Sequence, residues 1–208
     1  MFLEKLITIG TVLSKNEFLG FDVSHKGDLV RSLSDFLMKA NGLVVFESSL
    51  VVRPGTLGEH VEDIQSWNRP MLWKYMYKDT QLFDIIFFAE DAFGNQYGIN
   101  QDYICFFNLE TGCIDHFCDT LEEWAKILLE DYFFHTGYGI MHQWQVRFGK
   151  ITLGYRLCPK LPVILGGEMN INNFQSSSLI KNIEFLSSIA TQIRDIPDGA
   201  QIKICIEE

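Results

Sequence analysis

The chain has 208 residues, of which 47% are hydrophobic and 21% are charged. This length favours a single domain over residues 1–208, and the composition excludes an intrinsically disordered chain, which would be depleted in hydrophobic residues. The formal net charge of −10 disfavours direct binding to nucleic acid, because an acidic surface repels phosphates.

The first half of the chain predicts one amphipathic helix followed by short strands. Apolar residues recur at helical spacing over residues 28–40, and Asn41-Gly42 follows where a helix cap is expected. Residues 53–77 are punctuated by Pro and Gly and predict an ordered loop-and-helix excursion. Strands are expected at residues 43–46, 50–52 and 82–90, the last with apolar residues on both faces.

The second half predicts an antiparallel meander and then helices. Turns at residues 91–95 and 110–112 alternate with strand patterns at 97–99, 103–107 and 113–118. Thr120 and Glu123 match a capping box for a helix that ends at Gly137. Residues 144–155 favour strand, turn and strand. A helix is expected after residues 176–178, a turn at 197–199, and a final strand at Ile202, Ile204 and Ile206.

The cysteines and the N-terminal residues indicate a cytoplasmic protein. The cysteine count is odd and no C-x-x-C pair occurs, which favours free thiols over a disulfide framework or a zinc site. Residues 6–13 lack the basic leader and cleavage site of a signal peptide, and no apolar run is long enough to span a membrane. The cysteines are Cys105, Cys113, Cys118, Cys158 and Cys205.

The negative charge is concentrated in the middle of the chain. Residues 79–131 contain 12 acidic residues and one basic residue, Lys126, whereas the flanking segments together carry +1. Such a segment either attracts a basic partner or supplies solvated, solubilising faces, and the charge distribution alone leaves both interpretations open.

The sequence contains no recognisable catalytic motif. HExxH, GxSxG, the phosphate-binding loop and the EF-hand loop are all missing, and no two of the five histidines have metal-ligand spacing on a helix or strand. Cys118 near His116 and Asp119 suggests a nucleophile, but the acidic surroundings favour a structural cysteine, and we expect Asp119 to point away from His116. Glu90-Asp91 is interpreted as a strand end followed by a turn.

Several segments, in consistent order, carry a resemblance to a known family. The sequence resembles the SUKH superfamily over about residues 30–208. This family includes fungal regulators of cell-wall assembly and bacterial immunity proteins that neutralise polymorphic toxins. The resemblance implies one α+β domain with a twisted, mostly antiparallel sheet flanked by helices, and it brings no catalytic residues. The matching segments are Phe36–Leu37, Asn41–Gly42, Phe88–Ile99, Glu110–Gly112, Thr120–Trp124, Trp144–Gln145, Arg156–Lys160, Pro162–Glu168, Asn172–Phe174 and Ile196–Ala200.

From these observations we expect an immunity protein that binds a basic cognate toxin stoichiometrically through an acidic surface. No cofactor, metal, nucleic acid or membrane is expected, and the sequence leaves the oligomeric state open. A regulatory scaffold without a toxin partner and a small-molecule enzyme are the alternatives. The candidate contact residues are Glu90, Asp91, Asp115, Asp119, Glu122, Glu123, Glu130 and Asp131.

Overall fold

The computed structural model describes residues 1–22, 27–56 and 61–197. They form an α+β fold with an antiparallel sheet flanked by helices, as predicted. Among the described helices, none combines the length and the hydropathy that a membrane span requires. The predicted final strand at Ile202–Ile206 and part of the predicted turn at residues 197–199 lie outside the described residues.

Seven strands form the main sheet in chain order, so that each strand pairs with its neighbour in sequence. Short turns join β2 to β3 and connect β4 through β7, whereas α2 lies between β1 and β2 and residues 53–85 connect β3 to β4. The strands are β1 Thr11–Val12, β2 Leu43–Val45, β3 Leu50–Val52, β4 Ile86–Glu90, β5 Gln96–Asn100, β6 Tyr103–Phe107 and β7 Ile114–Cys118. A second, two-stranded sheet consists of β8 Tyr155–Pro159 and β9 Phe174–Ser178.

Helices pack on both faces of the main sheet. Short 3-10 helices cover Lys74–Tyr77, Thr80–Phe83, Val163–Leu165 and Ile171–Asn173. The α-helices are α1 Phe2–Ile9, α2 Asp28–Lys39, α3 Ile64–Trp67, α4 Leu121–Glu130, α5 Tyr132–Thr136, α6 Tyr138–Phe148 and α7 Leu179–Ile193.

Strand β4 shows why both faces are covered. Phe88 belongs to a core with residues of α2 and α4, whereas the adjacent Phe87 belongs to a second core with α7 and Trp73. Successive side chains of a strand point to opposite faces, so the unbroken apolar run needs a layer on each side. The predicted two-sided burial of this strand is confirmed.

The structure corrects two predicted boundaries. Strand β4 begins at Ile86, because Thr80–Phe83 forms a 3-10 helix capped by Asp79. The helix that begins at Leu121 ends at Glu130, because Asp131 leaves helical geometry and caps α5 instead. Gly137 does end that second helix, in the left-handed conformation.

The largest difference is α6, which includes residues 144–148, the first part of the segment predicted as strand, turn and strand. Its residues alternate in polarity, but Ile140, Met141 and Trp144 also recur at helical spacing and pack into a third apolar cluster with β8 and β9. Burial of this stripe favours the helix. Gly149, with φ of 91°, ends the helix. Of the two predicted strands, one is present as β8, which begins at Tyr155.

Candidate functional site

Glu90 and Asp91, two of the predicted surface contacts, are buried. Their exposed fractions are 1% and 4%, because β4 and the turn that follows it are enclosed by the main sheet, α7 and β8. The interpretation of the two residues as a strand end and a turn is confirmed. The prediction that their carboxylates belong to an exposed acidic surface is wrong.

Glu90 lies between two buried arginines. Its Oε2 accepts a hydrogen bond from Arg53 Nη2, and its Oε1 lies 2.6 Å from Arg156 Nη2. The Arg53 guanidinium also lies 3.6 Å from the centroid of the Trp67 ring. Burial lowers the pKa of Arg53 to about 10, and the charge of Glu90 opposes that shift. The Arg53–Glu90–Arg156 triad therefore connects the main sheet to β8 electrostatically.

Asp91 organises the β4–β5 turn. Its Oδ1 accepts hydrogen bonds from the backbone N–H groups of Phe93 (2.8 Å) and Asn95 (2.9 Å), and its Oδ2 accepts one from Asn95 Nδ2 (2.8 Å). Burial raises the pKa of Asp91 to about 7, although these hydrogen bonds and Arg156 favour the ionised form. The carboxyl group therefore stabilises the turn from inside the molecule.

The other six predicted contacts remain accessible to solvent along β7, α4 and the start of α5. Glu122 is half-buried, and the other five are exposed. We call these six residues the acidic surface. Its members are Asp115, Asp119, Glu122, Glu123, Glu130 and Asp131.

Most carboxylates of the acidic surface also have local partners. Asp119 Oδ1 lies 2.8 Å from His116 Nε2, contrary to the prediction that Asp119 points away, because the chain turns into α4 directly after β7. Glu130 lies 3.9 Å from Lys126, and Glu122 accepts a hydrogen bond from the Phe2 N–H at 2.6 Å. These contacts orient the side chains while leaving most of them exposed.

The N-terminus of α4 confirms the predicted capping box, and a second cap begins the next helix. The Thr120 hydroxyl accepts a hydrogen bond from the Glu123 N–H at 3.1 Å. The Glu123 carboxylate accepts one from the Asp119 N–H at 3.2 Å, one residue before the predicted partner. Asp131 Oδ1 caps α5 by accepting from the Phe134 N–H. Glu123 and Asp131 are therefore both helix caps and exposed negative charges.

A mostly apolar cleft of about 790 Å³ lies beside the acidic surface. The hairpin turns β4–β5 and β6–β7 form one side of it, α5 forms another, and the loop between β8 and β9 closes it opposite. Asp115 and His116 of β7 line this cleft, so the two features share an edge. Its size and mixed lining are typical of a binding site.

Aromatic rings form a continuous wall of the cleft. Ring centroids are 5.1 Å apart for Phe106 and Tyr97, 5.1 Å for Tyr97 and Phe117, and 5.4 Å for Phe117 and His135. Phe134 extends the wall, with its ring 5.1 Å from His135 and 80% of its surface exposed. The hydroxyl of Tyr97 donates to the His135 carbonyl at 2.5 Å, which fixes α5 against the sheet.

The charged groups of the cleft are acidic at neutral pH. Glu110, Asp115 and the buried Asp91 line it, and among the described lining residues none is lysine or arginine. Burial lowers the pKa of His135, which keeps its imidazole neutral at pH 7. Glu110 Oε2 accepts a hydrogen bond from the Ile164 N–H at 3.0 Å and so holds the β8–β9 loop at the rim.

The cysteines of the described residues are free thiols. Three of them are buried, and burial raises the pKa of each to about 12, so no thiolate is present near neutral pH. The suggested nucleophile Cys118 is among them, and its sulfur donates to the Thr120 carbonyl, away from His116. No group of three or more potential metal ligands lies together within the described ranges. The three buried cysteines are Cys105, Cys118 and Cys158.

Sequence reasoning missed the cleft. Its walls come from segments far apart in the chain, and the loop residues Val163, Ile164 and Met169 and the helical Phe134 follow no periodic pattern that marks a site. The one available signal in the sequence was the apolar pair Phe133-Phe134 near the end of a helix; the structure leaves the two side chains 56% and 80% exposed.

Comparisons with known proteins support the fold. No protein-family model matches the sequence, and no curated protein is significantly similar to it. Among solved structures, the chain is similar to the crystal structure of Atu4351 from Agrobacterium tumefaciens, with a TM-score of 0.54 and 16% identity. The similarity covers 90% of this chain and 88% of that one. At this identity the likeness concerns the fold alone.

Proposed function

We propose that this protein is a SUKH-type immunity protein that binds a basic toxin in the cytoplasm and neutralises it by stoichiometric binding, without enzymatic activity. The acidic surface is the observation that carries the proposal. Residues 79–131 contain only one lysine or arginine, and five of the six carboxylates in the acidic surface are exposed. The free thiols of the described residues fit a reducing compartment.

The arrangement of the acidic surface favours rapid association with a basic protein. Asp119, Glu123 and Asp131 are held by hydrogen bonds to His116 or to helix N-termini, which reduces the entropy lost when a partner binds. Charges of one sign steer an oppositely charged partner and raise the association rate, and screening by salt weakens this effect. Binding by the acidic surface should therefore be fast at low ionic strength and strongly salt-dependent.

The test is binding to the protein encoded immediately upstream, measured by surface plasmon resonance at low and at high salt. The double substitution Asp115→Asn and Asp119→Asn removes two exposed charges of the acidic surface without removing bulk. We expect it to lower the association rate constant by about tenfold at low salt and much less at high salt.

A matched control removes two exposed charges on the other side of the main sheet from α4, by Glu184→Gln in α7 and Asp195→Asn just after α7. This variant has the same net charge as the first, so it separates local steering from total charge. Equal rates for both variants, or no binding of the upstream protein by the unsubstituted chain, would overturn the proposed function. Circular dichroism of both variants checks that the fold is retained.

A further inference from the structure

We propose that the cleft holds an arginine or lysine side chain of the basic partner, with its cationic end against the aromatic wall and near Asp115. The inference rests on the proposed function and deepens it, because it names the group by which the partner is anchored. The acidic surface would steer the partner, whereas the cleft would provide the specific contact.

The aromatic wall is suited to a cation. Phe106, Phe117 and His135 are partly exposed and are linked by ring contacts through the fully buried Tyr97, and Phe134 presents a mostly exposed ring at the end of the series. The face of an aromatic ring attracts a cation within about 6 Å of its centroid. The molecule already shows this kind of contact in its interior, where the Arg53 guanidinium lies over Trp67.

The carboxylates make the electrostatic potential of the cleft negative. The carboxylate of Asp115 has no hydrogen bond or ion pair in the described part of the chain, so its charge is available to a ligand. Glu110 also lines the cleft, and the described lining offers no lysine or arginine to neutralise either group. A neutral ligand would gain only apolar contacts and an anion would be repelled, whereas a cation gains from both carboxylates.

The exposed apolar residues at the edge of the cleft favour a side chain on a protein over a small free cation. Phe134, Ile164 and Met169 line the cleft and are 80%, 50% and 51% exposed, so apolar surface continues outward from it. The aliphatic stem of arginine or lysine packs on such surface while its charged end reaches the carboxylates. A compact cation would leave these rims uncovered.

The test uses a small probe and not the partner. N-acetyl-arginine N-methylamide is titrated into the ¹⁵N-labelled full chain, and chemical shifts of the backbone amides of Asn95, Thr111, Asp115 and His135 are followed. We expect saturable shifts at these cleft residues with a dissociation constant in the millimolar range. Phe134→Ala and Asp115→Asn should each weaken binding by about two- to fivefold.

Two controls keep the test specific. Phe148→Ala removes a 54% exposed aromatic side chain of α6 that does not line the cleft, and Asp102→Asn removes an exposed charge in the β5–β6 turn. Both should bind the probe as the unsubstituted chain does. The citrulline analogue of the probe, which has nearly the same shape without the charge, should not bind.

Each adverse result overturns the inference. Absent or scattered shifts exclude a cleft site, equal binding of the citrulline analogue shows that charge is not recognised, and tighter binding of tetramethylammonium shows a site for small cations. Because the probe is not the partner, these results leave the salt-dependent capture experiment unaffected. Conversely, the cleft can bind arginine even if the upstream protein does not bind at all.

Discussion

Neutralising Glu90 by Glu90→Gln should destabilise the protein strongly. The substitution preserves the size of the side chain and removes the negative charge between Arg53 and Arg156, which are 2% and 0% exposed. Two guanidinium groups would then share the interior without the carboxylate that compensates them. The charge of Arg156 already disfavours the protonated form of Arg53 in the intact triad, and the substitution leaves that repulsion unopposed by Glu90.

The expected loss is about 3–5 kcal/mol, the usual effect of removing one partner from a buried ion pair. This is a large part of the about 5–15 kcal/mol by which a typical domain is stable. Removing an exposed charge should cost far less. Glu130→Gln, at a residue whose side chain is 62% exposed and 3.9 Å from Lys126, should change the free energy of unfolding by less than about 1 kcal/mol.

Urea unfolding followed by tryptophan fluorescence measures these differences, and Trp67 reports directly on the triad because its ring contacts Arg53. A third variant combines Glu90→Gln with Arg53→Met and Arg156→Met, which removes all three charges and keeps apolar bulk. It should be more stable than Glu90→Gln alone, since apolar replacement of a whole buried ion group is often neutral or stabilising. A loss below about 1 kcal/mol for Glu90→Gln, or no recovery in the triple variant, would refute charge compensation as the role of Glu90.

Three further predictions concern other buried and capping groups. Because burial raises the pKa of Asp91 from 3.8 to about 7, the folded state retains a proton that the unfolded state releases, so this contribution to stability is complete below about pH 4 and is lost as the pH rises through 7. Asp91→Asn should flatten the decline in the free energy of unfolding over that range, and a carboxyl ¹³C titration of Asp91 with a midpoint near 4 would contradict the reasoning. Iodoacetamide should modify the exposed Cys113 in the native protein while the three buried cysteines react only after unfolding, as peptide mass mapping will show; early labelling of Cys118 would be the contrary result. Thr120→Ala should lower the free energy of unfolding by about 1 kcal/mol through loss of the α4 cap, whereas Thr80→Ala, at an exposed threonine, should have little effect; thermal or urea unfolding compares them.

Local patterns determined much of the fold in advance. The strands of the meander, α2 and α7 follow from periodicities of two or 3.6 residues and from turn residues such as Gly112, all of which act between near neighbours in sequence. The Thr120 cap of α4 is equally local and was predicted correctly, although the Glu123 carboxylate accepts from the Asp119 N–H, one residue before the expected partner. The α+β class follows from the order of these elements.

Where local patterns are ambiguous, tertiary packing determined which secondary-structure element forms. Residues 144–148 satisfy both a strand and a helix pattern, and the helix forms because Met141 and Trp144 have an apolar cluster to enter. The same holds for the break at Asp131, whose side chain caps a new helix instead of extending the old one.

The candidate site depended almost wholly on the tertiary structure. The sequence by itself determined that acidic residues are concentrated between residues 79 and 131, but it could not sort exposed carboxylates from buried ones. Glu90 is buried because Arg53 and Arg156, both distant in sequence, meet it in the interior, and a buried carboxylate needs such partners. The cleft likewise exists only because two hairpin turns, α5 and the β8–β9 loop converge, and long-range convergence leaves no periodic trace in a sequence.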